Sequence, residues 1–429
     1  MGLCTSPIEN LEAKDIATMG ITQVEKDAYI AELKLLRAYH YLKIMDLWGN
    51  VPIITKVAEP ISPPTQSRVE VFNFIEKEIK DNIDKAPILS KQMHGRMSQA
   101  GGYAMLLELY LNAEVWTGTA RWDDAIAAAD KLISGAAGGI NGSAALDPNI
   151  TNTYKPTNQT SKEILFAIAY DFQTGSFAPQ WPGDFFYFNQ RDIYGGDRNG
   201  NDGVVVIPGV YTTFTDKDLR KKEWILEGPQ FRFNDPTKPV LASGGNEYDG
   251  RPLVFVDNIR RNKTLQPGQD PNTLESNMNT GEENSGVRFN KYKLGDLSNP
   301  SYNSTDWVLY RLSWVYFAKA EALMRKNGGT ANPEAVQLIN NVKSRAFAAA
   351  DWATMQYTTA TLTLDELLAE RGREFIFEGW RRQDLIRFGK FTTASWWDHK
   401  PSDPTKSLYP VPRRQTILNP NLVQNPGYN

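Results

Sequence analysis

The sequence predicts a mainly α protein: a scaffold of tetratricopeptide-like helical hairpins with an irregular, loop-rich insert that contains short strands. Three observations predict it. Apolar residues recur at helical spacing through the first third of the chain and again after about Trp307. Between about Gly135 and Ser304 that spacing fades, and Gly, Asn, Pro and Asp dominate. Where two predicted helices adjoin, small residues face large ones, which lets helices approach closely. The chain therefore divides into a helical part over 1–134, an insert over 135–304 and a second helical part over 305–429.

The first helix is expected from about Val24 to Leu47, with Ile30, Leu33, Leu36, Tyr41 and Ile44 at helical spacing. Gly49 stops it, and Asn50-Val51-Pro52 begins an extended exit. After the linker Ser62-Pro63-Pro64, a second helix spans about Val69 to Ala86. A third covers about Ser98 to Trp116 and a fourth about Trp122 to Ile133. Gly118 separates the last two, so they should fold back as an antiparallel pair, Ala104, Leu107, Tyr110 and Leu111 against Ala125, Ala128, Ala129 and Leu132. Their spacing is too irregular for a strict 34-residue repeat.

In the insert, Ile164–Tyr170, Gly203–Ile207 and Leu253–Val256 read as short strands. Helix returns at about Trp307, its stripe running Leu309, Leu312, Val315, Ala318, Ala322 and Leu323 to a stop at Gly328-Gly329. Asn332-Pro333-Glu334 restarts it with an N-cap, a proline at the first position and an acid in the first turn. Thr363-Leu364-Asp365-Glu366 has the form of a capping box and opens the next helix. The Pro- and Asn-rich tail should lie extended over the surface.

Bulk composition excludes several functions. A net charge of −3 over 429 residues offers no broad basic surface for nucleic acid. No stretch approaches the roughly 20 apolar residues of a membrane span. The single cysteine, Cys4, rules out a disulfide framework, and His40, His94 and His399 have no ligand spacing, so no cofactor or metal is expected. MGLCTS formally fits a myristoylation pattern but lacks the basic start and apolar run of a lipoprotein signal. Asp197 to Gly203 begins like a calcium loop, yet it lacks the glycine at position six, and Pro208 stands where the bidentate Glu belongs. A tight turn suits it better.

Two stretches could carry chemistry. In ERGREFIFEGWRRQDLIRFG (370–389), Glu370, Glu374 and Glu378 fall at i, i+4 and i+8. A glycosidase would need two such acids about 5–10 Å apart, one with a raised pKa. Arginines packed around them would lower it. The expectation is a structural knot, with Arg381, Arg382 or Arg387 folding back onto the acids after Gly379, and no catalytic residue. The second stretch, FAPQWPGDFFYFNQRDIYGGDRNGN (177–201), is rich in rings without helical periodicity. Trp181, Phe186, Tyr187 and Tyr194 could stack on sugar rings, with Asp184, Asn189 and Arg191 serving hydroxyls. A loop folded onto its own rings remains open as the alternative.

Five stretches, taken in order, resemble the SusD/RagB family of nutrient-binding outer-membrane lipoproteins of the Bacteroidetes: AELKLLRAYHYLKIMDLWGNVPII, YRLSWVYFAKAEALMR, INNVKSRA, ERGREFIFEGWRRQDLIRFG and LYPVPRRQTILNPNLVQNPGY. Ser313 and Trp314 depart from the family form, and Lys343 replaces an Arg. The resemblance runs from about residue 29 to the C-terminus. It implies a helical scaffold whose insert presents the ligand surface, and a non-catalytic binder of glycans at the cell surface. It also implies a SusC-like TonB-dependent transporter as partner and a lipid anchor upstream of this chain. Some relatives serve peptide uptake, so peptide or other non-glycan cargo is the second expectation. Only 36 residues precede Arg37, fewer than the family usually has, so a segment that helps to line the ligand site in some members is expected to be missing.

Overall fold

A computed structural model describes residues 2–58, 60–171, 184–195, 199–201, 203–242, 249–259, 281–282, 284–293 and 304–428. Helix α1, Gly2–Ala13, was not foreseen from the sequence; it packs on α2, Gln23–Trp48, and buries Cys4. A reciprocal capping box of Thr22 and Glu25 starts α2, and a second one of Ser67 and Glu70 starts α3, Arg68–Asn82, which packs along α2. Helix α4, Gln99–Leu111, is enclosed on nearly every side. A Cβ on Gly102 would lie 2.9 Å from Cδ1 of Ile83, so only glycine permits that approach. The third predicted helix breaks at Asn112 and resumes over Ala113–Thr117. Helix α5, Trp122–Ile133, ends where expected and packs against α4 as the antiparallel partner.

After the insert, residues 307–311 are strand, not helix. β9, Trp307–Arg311, pairs antiparallel with β1, Ile164–Ile168, and the helix begins only at Leu312. The reason is lateral: β1 offers an unpaired edge to a run of aromatic and branched side chains that suits a strand as well as a helix. Helix α6, Leu312–Lys326, packs on α5 and on α7, Pro333–Lys343. Asn332 caps α7 as predicted, its side chain accepting from the Ala335 amide at 2.8 Å. Thr363 likewise accepts from the Glu366 amide at the start of α8, Leu364–Glu374. Helix α9 is Arg381–Arg387.

The insert contributes small antiparallel sheets. β2 (Val205–Val206), β8 (Val287–Phe289) and β3 (Ile225–Leu226) form one sheet in the order β2-β8-β3. β4 (Gly228–Pro229) pairs with β7 (Val254–Phe255), and β5 (Phe231–Arg232) with β6 (Asp235–Pro239). The tail crosses the scaffold, Asn425 donating to the carbonyls of Trp48 and Tyr409. Among the described residues no helix is long and apolar enough to cross a membrane.

A buried ionic network ties the insert to the scaffold. Arg311, at the end of β9, grips both oxygens of Glu378 at 2.9 Å and reaches Glu163 at 2.8 Å and Glu374 at 2.9 Å. Arg220, from the insert, holds Asp218, Glu370 at 2.7 Å and Glu374 at 2.9 Å. Lys291 donates to Glu378 at 2.5 Å and to the Glu374 carbonyl at 2.7 Å. The expected fold-back of Arg381, Arg382 or Arg387 onto these acids is therefore corrected. Arg381 donates to the Leu368 carbonyl, Arg382 pairs with Asp46, and Arg387 pairs bidentately with Glu321. Arg373, three residues on in the same helix, pairs with Glu370 at 2.6 Å. The cause lies in the turn: α8 ends at Glu374, and Phe377 adopts a positive φ of 68°, so Glu378 leaves the helix and α9 points away.

Burial alone would raise these carboxyls, but the facing guanidiniums outweigh it. Arg345 and Arg311 bring Glu163 down to about 2, and Arg387 and Arg325 do the same for Glu321. Because the folded pKa values lie below the ordinary 4.5, the stabilisation is present above that value and lost as pH falls from about 4.5 to about 2. Each group contributes on the order of 3 kcal/mol at neutral pH. Glu321→Gln should therefore lose about 3–5 kcal/mol in urea unfolding at neutral pH. It should also show a shallower loss of stability on acidification than the parent chain; parallel acid profiles would refute this account.

Candidate functional site

The ring-rich stretch is described from Asp184 onward; Trp181 lies outside the described residues, as do Asp197, Arg198 and Asp202 of the calcium-like turn. Phe186 is 1% exposed, packed edge-on between Tyr194 and Phe289 at 5.4 and 5.2 Å. Tyr187, 3% exposed, seals a small second core of Val240, Ala242, Leu253 and Phe255, with its hydroxyl on the side chain of Asn284. Tyr194 is half-buried, its hydroxyl donating to Asn290 at 2.6 Å, and burial pushes its pKa up. The expectation of Phe186 and Tyr187 as stacking platforms is thus corrected, since a ring covered by packing has no open face for a sugar. Among the described residues the insert has no long helix to supply an apolar stripe, so its core draws on the rings of this loop.

The polar candidates stand differently. Asp184 is exposed and accepts from the Asn201 side chain at 3.0 Å. Asn189 donates to the Leu241 carbonyl at 2.7 Å, and Arg191 is exposed on the short helix Gln190–Tyr194. Three rings that sequence reasoning passed over are exposed on this loop and on the β5–β6 hairpin. Phe188, Phe231 and Phe233 are 42, 44 and 53% exposed. The β5–β6 hairpin is docked on the short helix by the Phe233 amide donating to the Asp192 carbonyl at 3.0 Å, and the Phe233 ring lies against Gly195. The period-two alternation in Gln230-Phe231-Arg232-Phe233 was the available signal. Solvent-facing rings beside an amide, carboxylates and a guanidinium can stack on apolar faces while bonding hydroxyls.

The acids of the ionic network offer a different chemistry. Glu370 is fully buried, and the charges of Arg220 and Arg373 overcome that burial to hold its pKa well below the usual range. Glu378 is lowered in the same way by Arg311 and Lys291. A general acid must keep its proton near working pH, so these groups are poorly suited to proton donation. Among the described residues no cluster of His, Cys, Asp or Glu would hold a metal ion.

The molecule is thus a helical scaffold that carries a sheet-bearing insert with solvent-facing aromatic rings. The SusD family model matches residues 162–428, and the chain belongs to that family. It is 26% identical to the starch-binding protein SusD of Bacteroides thetaiotaomicron, over 96% of this chain and 75% of that one. It is 24% identical to the SusD-like protein P38 of Formosa agariphila, over 93% and 74%. Among solved structures, a SusD superfamily protein of Parabacteroides distasonis superposes with a TM-score of 0.72 at 18% identity, covering 99% of this chain and 83% of that one. The surface glycan-binding protein A of B. thetaiotaomicron, in complex with laminarihexaose, superposes at 0.68 and 21% identity, over 98% and 82%. These likenesses confirm the mainly helical SusD-like fold.

The two kinds of ring should separate on mutation. Phe186→Ala should cost about 3–5 kcal/mol of stability, whereas Phe233→Ala should change it by less than about 0.5 kcal/mol. Chemical denaturation of both variants checks this, and similar losses would refute the assignment of core and surface.

Proposed function

We propose that the protein is a non-catalytic glycan-binding protein of the cell surface. It captures oligo- or polysaccharide and passes it to a SusC-like TonB-dependent transporter, held at the outer membrane by a lipid anchor upstream of this chain. The observation that carries the reading is the exposure of Phe188, Phe231 and Phe233 on a loop and a hairpin that is docked on the helix bearing Arg191. Membership in the SusD family supports it, as do the relatives named for starch binding and for a complex with laminarihexaose. Asp184 and Trp181 belong to the same proposed surface, Trp181 by its place in the sequence alone. The buried, ionised state of Glu370 and Glu378 supports the absence of hydrolysis.

Affinity electrophoresis against starch, laminarin and a panel of other polysaccharides tests the reading. One of the glycans should retard the protein, and Phe233→Ala and Arg191→Ala should each weaken that binding about tenfold. Wild-type retardation by both variants would move the site elsewhere, and binding of peptides but no glycan would change the cargo. Glu374→Gln should destabilise the fold without revealing any lost turnover, because no reducing sugar should be released by the parent chain.

A further inference from the structure

A cavity of about 470 Å³ lies on the seam between insert and scaffold, away from the ring surface. Its size falls within the range of small-molecule sites. One wall is the insert segment Val205 to Thr213; the other is the end of α8, the turn through Phe377 and the start of α9, with Trp396 at the edge. Most of the lining is apolar: Val206, Ile207, Val210, Ala369, Phe375 and Leu385.

The polar part of the lining is unbalanced. Arg381 is exposed on this cavity and bonds only the Leu368 carbonyl through Nη1, with no carboxylate within 4.0 Å of it among the described residues. Arg371, on the same lining, is 1% exposed, and its Nε and Nη1 have no hydrogen-bond partner among the described residues. The one acid on the lining, Asp384, is already shared between Arg371 at 2.8 Å and Arg387 at 2.7 Å. The cavity thus joins an apolar body to a rim with surplus positive charge and spare N–H donors. Phe377, on the same lining, is held in the left-handed region at φ 68°, a strained conformation of the kind that collects at ligand sites.

The geometry points to a second ligand site here, for a small amphipathic carboxylate whose apolar body fills the space between Val206 and Phe375 and whose head group pairs with Arg381. A neutral apolar ligand would leave the guanidinium unused, and a free sugar would leave its hydroxyls facing valine, isoleucine and phenylalanine side chains. The site is separate from the glycan surface, so glycan binding and this site can fail independently.

Calorimetric titration with 4-phenylbutyrate and with its uncharged amide, 4-phenylbutyramide, tests the proposal. The carboxylate should bind in the millimolar range or tighter, and about tenfold more strongly than the amide. Arg381→Ala removes an exposed side chain and should bring the two ligands to equal affinity. Ala369→Phe fills the cavity and should abolish both, while glycan retardation stays as in the parent chain. Melting curves establish that each variant is folded. No binding of either compound to the parent chain, equal affinity for both, or unchanged affinity in Ala369→Phe would each overturn the proposal.

Discussion

The guanidinium of Arg311 is the point on which the rest of the structure depends. It ends the strand that joins insert to scaffold, and it contacts Glu163 just before β1, Glu374 at the end of α8 and Glu378 in the turn beyond it. Arg220 and Lys291 reach the same acids from the middle of the insert. Charges this deep are costly to desolvate, so the pairs contribute less to net stability than their number suggests. Their effect is selective: any chain path that separates one partner leaves an uncompensated charge in the interior. A long insert with short strands and little helix needs such a constraint, because its small sheets offer few ways to define where it sits.

This arrangement separates the buried ionic network from the exposed ring surface proposed to meet ligands. Acids clamped by guanidiniums stay ionised and enclosed, and they hold the insert in place. The surface that projects from it is built of Phe188, the β5–β6 hairpin and the helix Gln190–Tyr194, where rings stand in solvent beside side chains able to bond hydroxyls. The rings just inside, Phe186 and Tyr187, anchor that surface to two cores. Rigid support beneath an exposed face limits the ordering cost of any ligand that binds there.

Most of the scaffold was legible in the chain. Helix α5 has the predicted ends, and Asn332 and Thr363 cap α7 and α8 as expected, because a cap acts over three or four residues. The misread elements share one cause. Trp307 to Arg311 has apolar spacing compatible with helix and becomes strand because β1 lies beside it. The acids at 370, 374 and 378 were placed on one helical face, but the positive φ of Phe377 takes the last of them off it. At the candidate site, the sequence could not tell Phe186 from Phe188, two residues apart, one buried and the other exposed.

By itself, then, the sequence determined the mainly helical fold and the family, since periodicity, caps and motif order are local and survive without knowledge of the fold. The tertiary structure alone decided which charges meet and which rings face water. Arg220 and Glu374 stand 154 positions apart, and nothing in either neighbourhood names the other. Whether an aromatic side chain is core or contact surface depends on what covers it, and in the insert the covering comes from strands distant in the chain.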